Sequence, residues 1–172
     1  EIAEYLPFRY LVPHLGAPNE EYTEWGMEAG FTSLEELSVF ARQRGVEILL
    51  ENIPNGYSSA EGLLNFLAQT HLELGLVLDT GHANLNEGVG TAFDRMKNRL
   101  RSTHVHDNDG QADQHLFPLV AGGGTIDWNH TMGQFRSRQD QYPLLLELKE
   151  SGQFPDPLDA VKQVFEKLEA IA

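Results

Sequence analysis

Glu51, Asp79, His104 and Glu147 each close an apolar, strand-like run, in EILLEN, LGLVLDTGH, STHVHDN and YPLLLELKE. Carboxylates and imidazoles are the oxygen and nitrogen donors that divalent ions take, and a strand-end position repeated four times predicts one shared pocket. In a chain that alternates strands with helices the strands run the same way, so strand ends far apart in sequence converge at one rim. A lone glutamate at a strand end is ordinarily a solvated loop carboxylate. Four such groups buried together are costly without a compensating cation. A set of helix caps and turn residues is the competing explanation; it suits Asp79, and suits His104 and Glu147 poorly.

Further donors cluster around these four. His82 follows Asp79 in DTGH, where a tight turn aims the imidazole back across the rim, to ligate an ion or to donate to a substrate. His104 and His106 are two residues apart on one strand and so share a face. Asp113 and His115 fall in a long loop; with His82 they make a second, looser metal cluster, against the plainer reading of surface polar groups. His14 ends the first strand in VPHLG, a position equivalent to the four main donors. Of seven histidines only His71 and His130 stand clearly away from the rim. Lys149 follows Glu147 by two on the same strand face, where it binds a substrate oxygen or phosphate or is simply solvated. Trp25, in the first long loop, either closes over a substrate or packs.

The elements that must position these residues are legible in outline. Strands are expected over 10–14, 46–51, 74–79, 102–107 and 142–147, and helices over about 34–44, 60–69 and 91–100, from Trp128, and over 158–171. Ser33 followed by Glu36 is a capping-box signature that opens the first of these helices, and Gly45 is placed to end it. The runs LGLVLD and PLLLEL are continuously apolar, as in strands covered by helices on both faces, so the sheet is expected to be parallel. Two longer segments, 16–32 and 110–126, follow strands and should overhang the same rim. No linker or repeat divides the chain, so residues 1–172 are expected to form a single domain.

Composition narrows the function classes. With 12 Lys and Arg against 26 Asp and Glu, the formal charge of -14 repels polyanions, which disfavours nucleic acid as a partner. The absence of cysteine excludes disulfides, thiolate metal sites and cysteine nucleophiles, and leans toward a cytoplasmic location. There is no stretch with the length of a membrane span, and no signal-peptide pattern.

In their order, ENIP with Glu51, LDTGHAN with Asp79 and His82, HVHDNDG with His104, DQH with Asp113 and His115, GTIDW, and LLLELKE with Glu147 resemble the xylose isomerase-like TIM barrels. That group holds sugar phosphate isomerases and epimerases together with endonuclease IV, and the likeness runs from about Tyr10 to Glu147 and beyond. The fold it implies is an α/β (β/α)8 TIM barrel. In the group's epimerases the positions matching Glu51, Asp79, His104 and Glu147 hold one divalent ion, and the two glutamates exchange protons with substrate. In endonuclease IV the positions matching His14, His82, Asp113 and His115 are further zinc ligands, but one histidine of that set precedes His14 and has no counterpart. The segment from Leu116 to Gly124 is longer than the compact loop expected before GTIDW. The first strand here corresponds to the family's fourth. Five βα units therefore make a partial barrel, with roughly three N-terminal units expected to be missing or to lie on another part of the full polypeptide; a first residue of Glu1 rather than Met hints at a processed or partial chain. Taken alone, an open five-stranded α/β sheet is the rival architecture.

The expectation is a metal-dependent sugar or sugar phosphate isomerase or epimerase. The ion binds adjacent carbonyl and hydroxyl oxygens and stabilises an enediolate, Glu51 and Glu147 move the proton, Asp79 and His104 hold the metal, and His82 orients or protonates an oxygen. Oxygen-rich ligation with one imidazole suits Mn²⁺ or Mg²⁺, with Zn²⁺ or Co²⁺ tolerated. His14, His82, His106, Asp113, His115 and Lys149 remain for a second metal or the substrate. The partner is a small-molecule sugar, with a homo-oligomer left open. Two other readings stand beside this one: a zinc phosphodiesterase on abasic DNA, and a non-catalytic metal-binding barrel fragment.

Overall fold

Every neighbouring pair of strands is parallel, and the order in space is the order in sequence. The computed structural model describes residues 2–138, 143–150 and 152–171. Within them, strands β1 (Tyr10–Leu11), β2 (Glu47–Glu51), β3 (Gly75–Asp79), β4 (Leu100–Val105) and β5 (Leu144–Leu146) form one sheet in that sequence. An unreversed order means that each crossover advances the sheet by one strand in the same sense, as in a barrel. A doubly wound sheet would instead reverse at a switch point. The result is half of a barrel wall, clad by helices α2 (Glu24–Gln43), α3 (Ala60–Ala68), α5 (Val89–Met96), α6 (Trp128–Arg136) and α7 (Pro157–Ala170). Two short helices, α1 (Ile2–Tyr5) and α4 (Thr80–Asn84), complete the described elements.

Of the two continuously apolar runs, LGLVLD is buried on both faces, with all five residues of β3 buried, as are four of five in β2. The run PLLLEL is not, since Leu145 of β5 is 53% exposed and its neighbours are only partly buried at this flank of the sheet. Leu50, Leu76 and Leu78 are inaccessible and pack with Leu63, Phe66, Phe93 and Met96 of the helices, while Leu49 is equally inaccessible. Each such side chain contributes about 1.5–3 kcal/mol by leaving water. Phe66 also stacks on Phe31 of α2 with ring centroids 4.4 Å apart. This core fixes the strand register, and the register sets which residues reach the rim.

Several boundaries differ from those expected. Helix α2 starts at Glu24, not near Leu34, and is capped by Thr23, whose side chain accepts from the Gly26 N–H. Ser33 and Glu36 are thus interior residues and form no capping box. Gly26 and Gly30 make that first stretch read as loop, yet a Cβ on Gly26 would collide with the Tyr57 hydroxyl, so the glycine serves packing. Trp25 accordingly lies in the first turn of α2 and is 80% exposed. The stop at Gly45 is as expected: its φ is +66°, and the N–H groups of Gly45 and Val46 bond to the carbonyls of Arg42 and Ala41. Strand β1 is two residues long because Pro13 has no N–H to extend a ladder. Helix α5 ends at Met96 and β4 starts at Leu100, so Leu100 belongs to the strand, and His106 and Asp107 lie beyond its end. Strand β5 stops at Leu146, leaving Glu147 and Lys149 past it; Tyr142, the expected first residue of this strand, lies outside the described residues.

Candidate metal centre

The rim is built at the carboxyl ends of β2 to β5. Glu51 and Asp79 are the last residues of their strands, His104 pairs with Asp79 across the β3–β4 ladder, and Glu147 follows β5 directly. One ligand atom from each of these four residues falls within 4.8 Å of the other three. His104 Nδ1 is 2.9 Å from Glu147 Oε2 and 3.1 Å from Glu51 Oε2, and 4.0 Å from Asp79 Oδ2. Glu51 and Asp79 are buried, His104 is partly buried, and Glu147 is exposed.

Asp79 serves two purposes at once. It is the N-cap of α4, its Oδ1 accepting from the His82 N–H at 2.7 Å, while Oδ2 is turned into the cluster. Asp79 Oδ2 and His104 Nδ1 are buried and lack an aligned hydrogen-bond partner, although carboxylate oxygens stand close to the imidazole nitrogen. Buried polar atoms are normally satisfied, so atoms converging on one point without hydrogen-bond geometry fit a cation-binding site. Three carboxylates with one imidazole suit a hard or borderline divalent ion.

A second group stands beside the first. His82, His106, Asp113 and His115 also bring one ligand atom each within 4.8 Å. His82 Nε2 and His115 Nε2 approach Asp113 Oδ2 at 3.3 and 3.2 Å, and His106 Nε2 is 3.8 Å from Asp113 Oδ1. The opposite ring nitrogens face main-chain carbonyls: His82 Nδ1 lies 3.0 Å from the Asn52 oxygen and His115 Nδ1 lies 2.9 Å from the Glu147 oxygen. A carbonyl can only accept, so Nδ1 carries a proton and Nε2 is the nitrogen turned inward, the one that would give up its proton on binding a metal. His115 holds this pose with φ at +51°, a left-handed conformation uncommon for a residue with a side chain. His106, which its spacing puts on the same face as His104 and which is a candidate for the second metal, falls in the second group; it is fully buried, and its Nε2 also lies 2.9 Å from Asp79 Oδ1, without aligned hydrogen-bond geometry.

Charge is tightly coupled across the rim. Burial opposes protonation of His104 and His82, but Glu147 and Glu51 outweigh it for His104, raising its pKa to about 10, and Asp113 and Glu51 raise that of His82 to about 11. Asp113 holds His115 up at about 9 against a smaller effect of burial. Burial also works against the Glu51 anion, yet His104, His14 and His82 hold its carboxyl well below the usual range. The histidines flanking Asp113 do the same for that carboxyl, and His104 lowers Glu147. Protons here occupy the place that cations would take.

His14 lies beyond β1, with Nε2 3.1 Å from Glu51 Oε2, at the margin of the first group. Lys149 is exposed, and its main-chain N–H donates to the His115 carbonyl, which helps set the loop. A residue overlooked in the sequence is Asn52. Its side-chain amide donates to the Asp79 carbonyl at 3.0 Å and accepts from the Asp79 N–H at 2.8 Å, replacing ladder bonds just where β2 and β3 part. A buried asparagine directly after a terminal glutamate was the available signal.

With five parallel strands in chain order and a rim of convergent donors at their carboxyl ends, the class is that of the α/β barrels. More specifically, residues 1–171 match the family model described as xylose isomerase-like TIM barrel, and the chain belongs to that family. It is 28% identical over 132 residues to an uncharacterized protein of Methanocaldococcus jannaschii, a match covering 76% of this chain and 51% of that one. The chain thus spans about half or less of the length of the curated relatives it matches. A crystal structure of a D-tagatose 3-epimerase-like protein superposes with a TM-score of 0.78 at 25% identity, covering 98% of this chain and 65% of that one. D-allulose 3-epimerase from Methylomonas sp. shares the fold, with a TM-score of 0.68 at 17% identity over 95% of this chain and 58% of that one. No helix among the described residues is long and apolar enough to cross a membrane.

Proposed function

We propose that this chain carries the metal-binding and proton-transferring part of a sugar isomerase or epimerase. The observation that carries the proposal is the convergence of Glu51, Asp79, His104 and Glu147 from four strand ends. Similarity to a D-tagatose 3-epimerase-like structure supports a small sugar as the substrate class. Glu51, Asp79, His104 and Glu147 would hold one divalent ion, Mn²⁺ or Mg²⁺ before Zn²⁺ or Co²⁺. Such an ion, when bound, polarises adjacent sugar oxygens and acidifies the C–H between them. Glu51, held anionic by three imidazoles, accepts that proton, and the electron pair moves toward the neighbouring carbonyl. Glu147, exposed and 2.9 Å from His104 Nδ1, takes a proton from solvent and delivers it to the other face or the next carbon, while Glu51 releases the proton it accepted to solvent. His82 orients or protonates a substrate oxygen, and His14, beside Glu51, lines the same approach.

The second donor group, rich in imidazole, suits a zinc ion and favours one further reading, a zinc phosphodiesterase of the endonuclease IV kind. The excess of 26 acidic over 12 basic residues argues against a DNA partner and ranks that reading second. We also propose that these five units belong to a single barrel domain that is larger than the described half. An open β1 edge and an apolar hollow of about 410 Å³ lined by Ile2, Phe8, Leu11, Leu37 and Phe40 support this.

Elemental analysis combined with turnover of ketohexoses in D2O tests the reading. Bound manganese, magnesium or cobalt with deuterium entering the epimerised carbon is the expected result. Three zinc ions with cleavage of abasic DNA would transfer the assignment to the second reading, and a protein that retains no metal would leave a non-catalytic fragment.

A further inference from the structure

The backbone ladder between β3 and β4 ends at the Asp79–His104 pair, yet His106, two residues further on, is completely buried and held in place. Its main chain is gripped by one side chain. The Thr80 hydroxyl donates to the His106 carbonyl at 2.7 Å and accepts from the His106 N–H at 3.1 Å. Thr80 is itself fully buried, so no water can replace those bonds without rearrangement. The imidazole then lies against Gly81, where any Cβ would collide with the ring, and stacks on His115 with centroids 3.9 Å apart and planes 10° apart.

Resting on the reading of the rim as a metal centre, we infer that Thr80 is a positioning residue, whose hydroxyl serves as an additional rung of the sheet and aims His106 into the second donor group. Asn52 repeats the device one strand earlier, where its amide bonds both main-chain groups of Asp79. Successive ends of the sheet are therefore prolonged by side chains where the rim must carry ligands but the strands have separated. A hydroxyl that merely filled space would not need to bond both groups of the same distant residue. The polar side-chain atoms of Thr80 and Asn52 are engaged with main-chain groups of His106 and Asp79.

Thr80→Val keeps the shape and deletes the hydroxyl, and Thr80→Ser restores it. Two readouts are compared across wild type, Val and Ser proteins. In metal-free protein, NMR follows hydrogen exchange at the His106 amide and the ring signals of the His106–His115 stack. In titrations with Zn²⁺ or Co²⁺, uptake by the imidazole-rich group is resolved from uptake by the carboxylate-rich one. Thr80→Val is expected to expose the amide to exchange, shift the ring signals, and weaken binding at the second group by about 10–100-fold, the usual effect of losing a residue that supports a ligand. The first group should change much less, and Ser should return both readouts to wild type. Thr80→Ala gives the same contrast if the trapped methyl of valine prevents folding. Unchanged ring signals and exchange in the Val or Ala protein, or a Ser protein that behaves like Val, would overturn the assignment. Wild type that takes up no second ion removes the second metal site, while the metal-free readout still decides the role of Thr80.

Discussion

The two donor groups share a rim but are built in different ways. Three carboxylates and one imidazole of the first are at or within a residue of strand ends. Three imidazoles and one carboxylate of the second come from the short helix after β3 and the loop after β4. Strand-borne donors inherit their positions from the buried sheet, whereas the others depend on carbonyl acceptors, Gly81 and a left-handed His115. The lesson is that one scaffold can present an oxygen-rich cluster and a nitrogen-rich one side by side, one carried on strand ends and the other on the segments that follow them.

The sharpest way to break this contrast is to neutralise a strand-borne carboxylate. Glu51→Gln should lower kcat by about 10²–10⁴-fold, the range for losing a general base, while metal still binds. Turnover within a few-fold of wild type would remove Glu51 from proton transfer. Next in size, His115→Ala should weaken zinc binding by more than the roughly 10–100-fold expected for loss of a supporting partner, and leave manganese at the first group in place. Equal loss of both metals in a competition titration would show that the groups are not separable.

Acid and base distinguish the groups further. In metal-free protein the histidine pKa values of His104, about 10, and His115, about 9, lie above the unfolded value of 6.5. Their stabilising contribution is complete below about 6.5 and is lost as pH rises through 9 to 10. Glu51, Asp113 and Glu147 are shifted down from 4.5, 3.8 and 4.5, so they stabilise above those values and lose that contribution as pH falls. Thermal unfolding with chelator should therefore show greatest stability between about 4.5 and 6.5 and a decline toward 10. Metal should reverse the alkaline decline by replacing protons, stabilising by about 2.7 kcal/mol at a hundredfold excess over Kd. A chelated protein that gains stability between pH 7 and 10 would contradict the ion pairing described. The smallest effect is expected at Lys149, whose side chain is exposed. Lys149→Ala should alter stability by no more than about 0.5 kcal/mol and leave both metal contents unchanged by elemental analysis.

How far the site could be read from sequence follows the same division. Glu51 and Asp79 end uninterrupted apolar runs, and burial on both faces left few alternatives for where β2 and β3 stop. The stop at Gly45 was equally clear, because only its left-handed backbone completes that turn. Helix α2 was read too short since Gly26 answers to Tyr57, a partner more than thirty positions away that local propensity does not reveal. The start of strand β4 is hidden from local sequence because Leu100 suits either a helix end or a strand, and only pairing with Leu76 decides it. The membership of His106 in the second group depends on Thr80 and Gly81, contacts made across strands. The side-chain rungs as a whole belong to this class, since they arise only after the strands are aligned.

Glu147 hangs from β5, a strand of three residues in which Leu145 is 53% exposed, and is itself the exposed member of its group. The other three donors are anchored in the wall, so the geometry of this carboxylate answers to whatever leans on that flank. Any neighbour seated there, whether further chain or another molecule, thereby acquires a hold on this carboxylate without touching the other three donors.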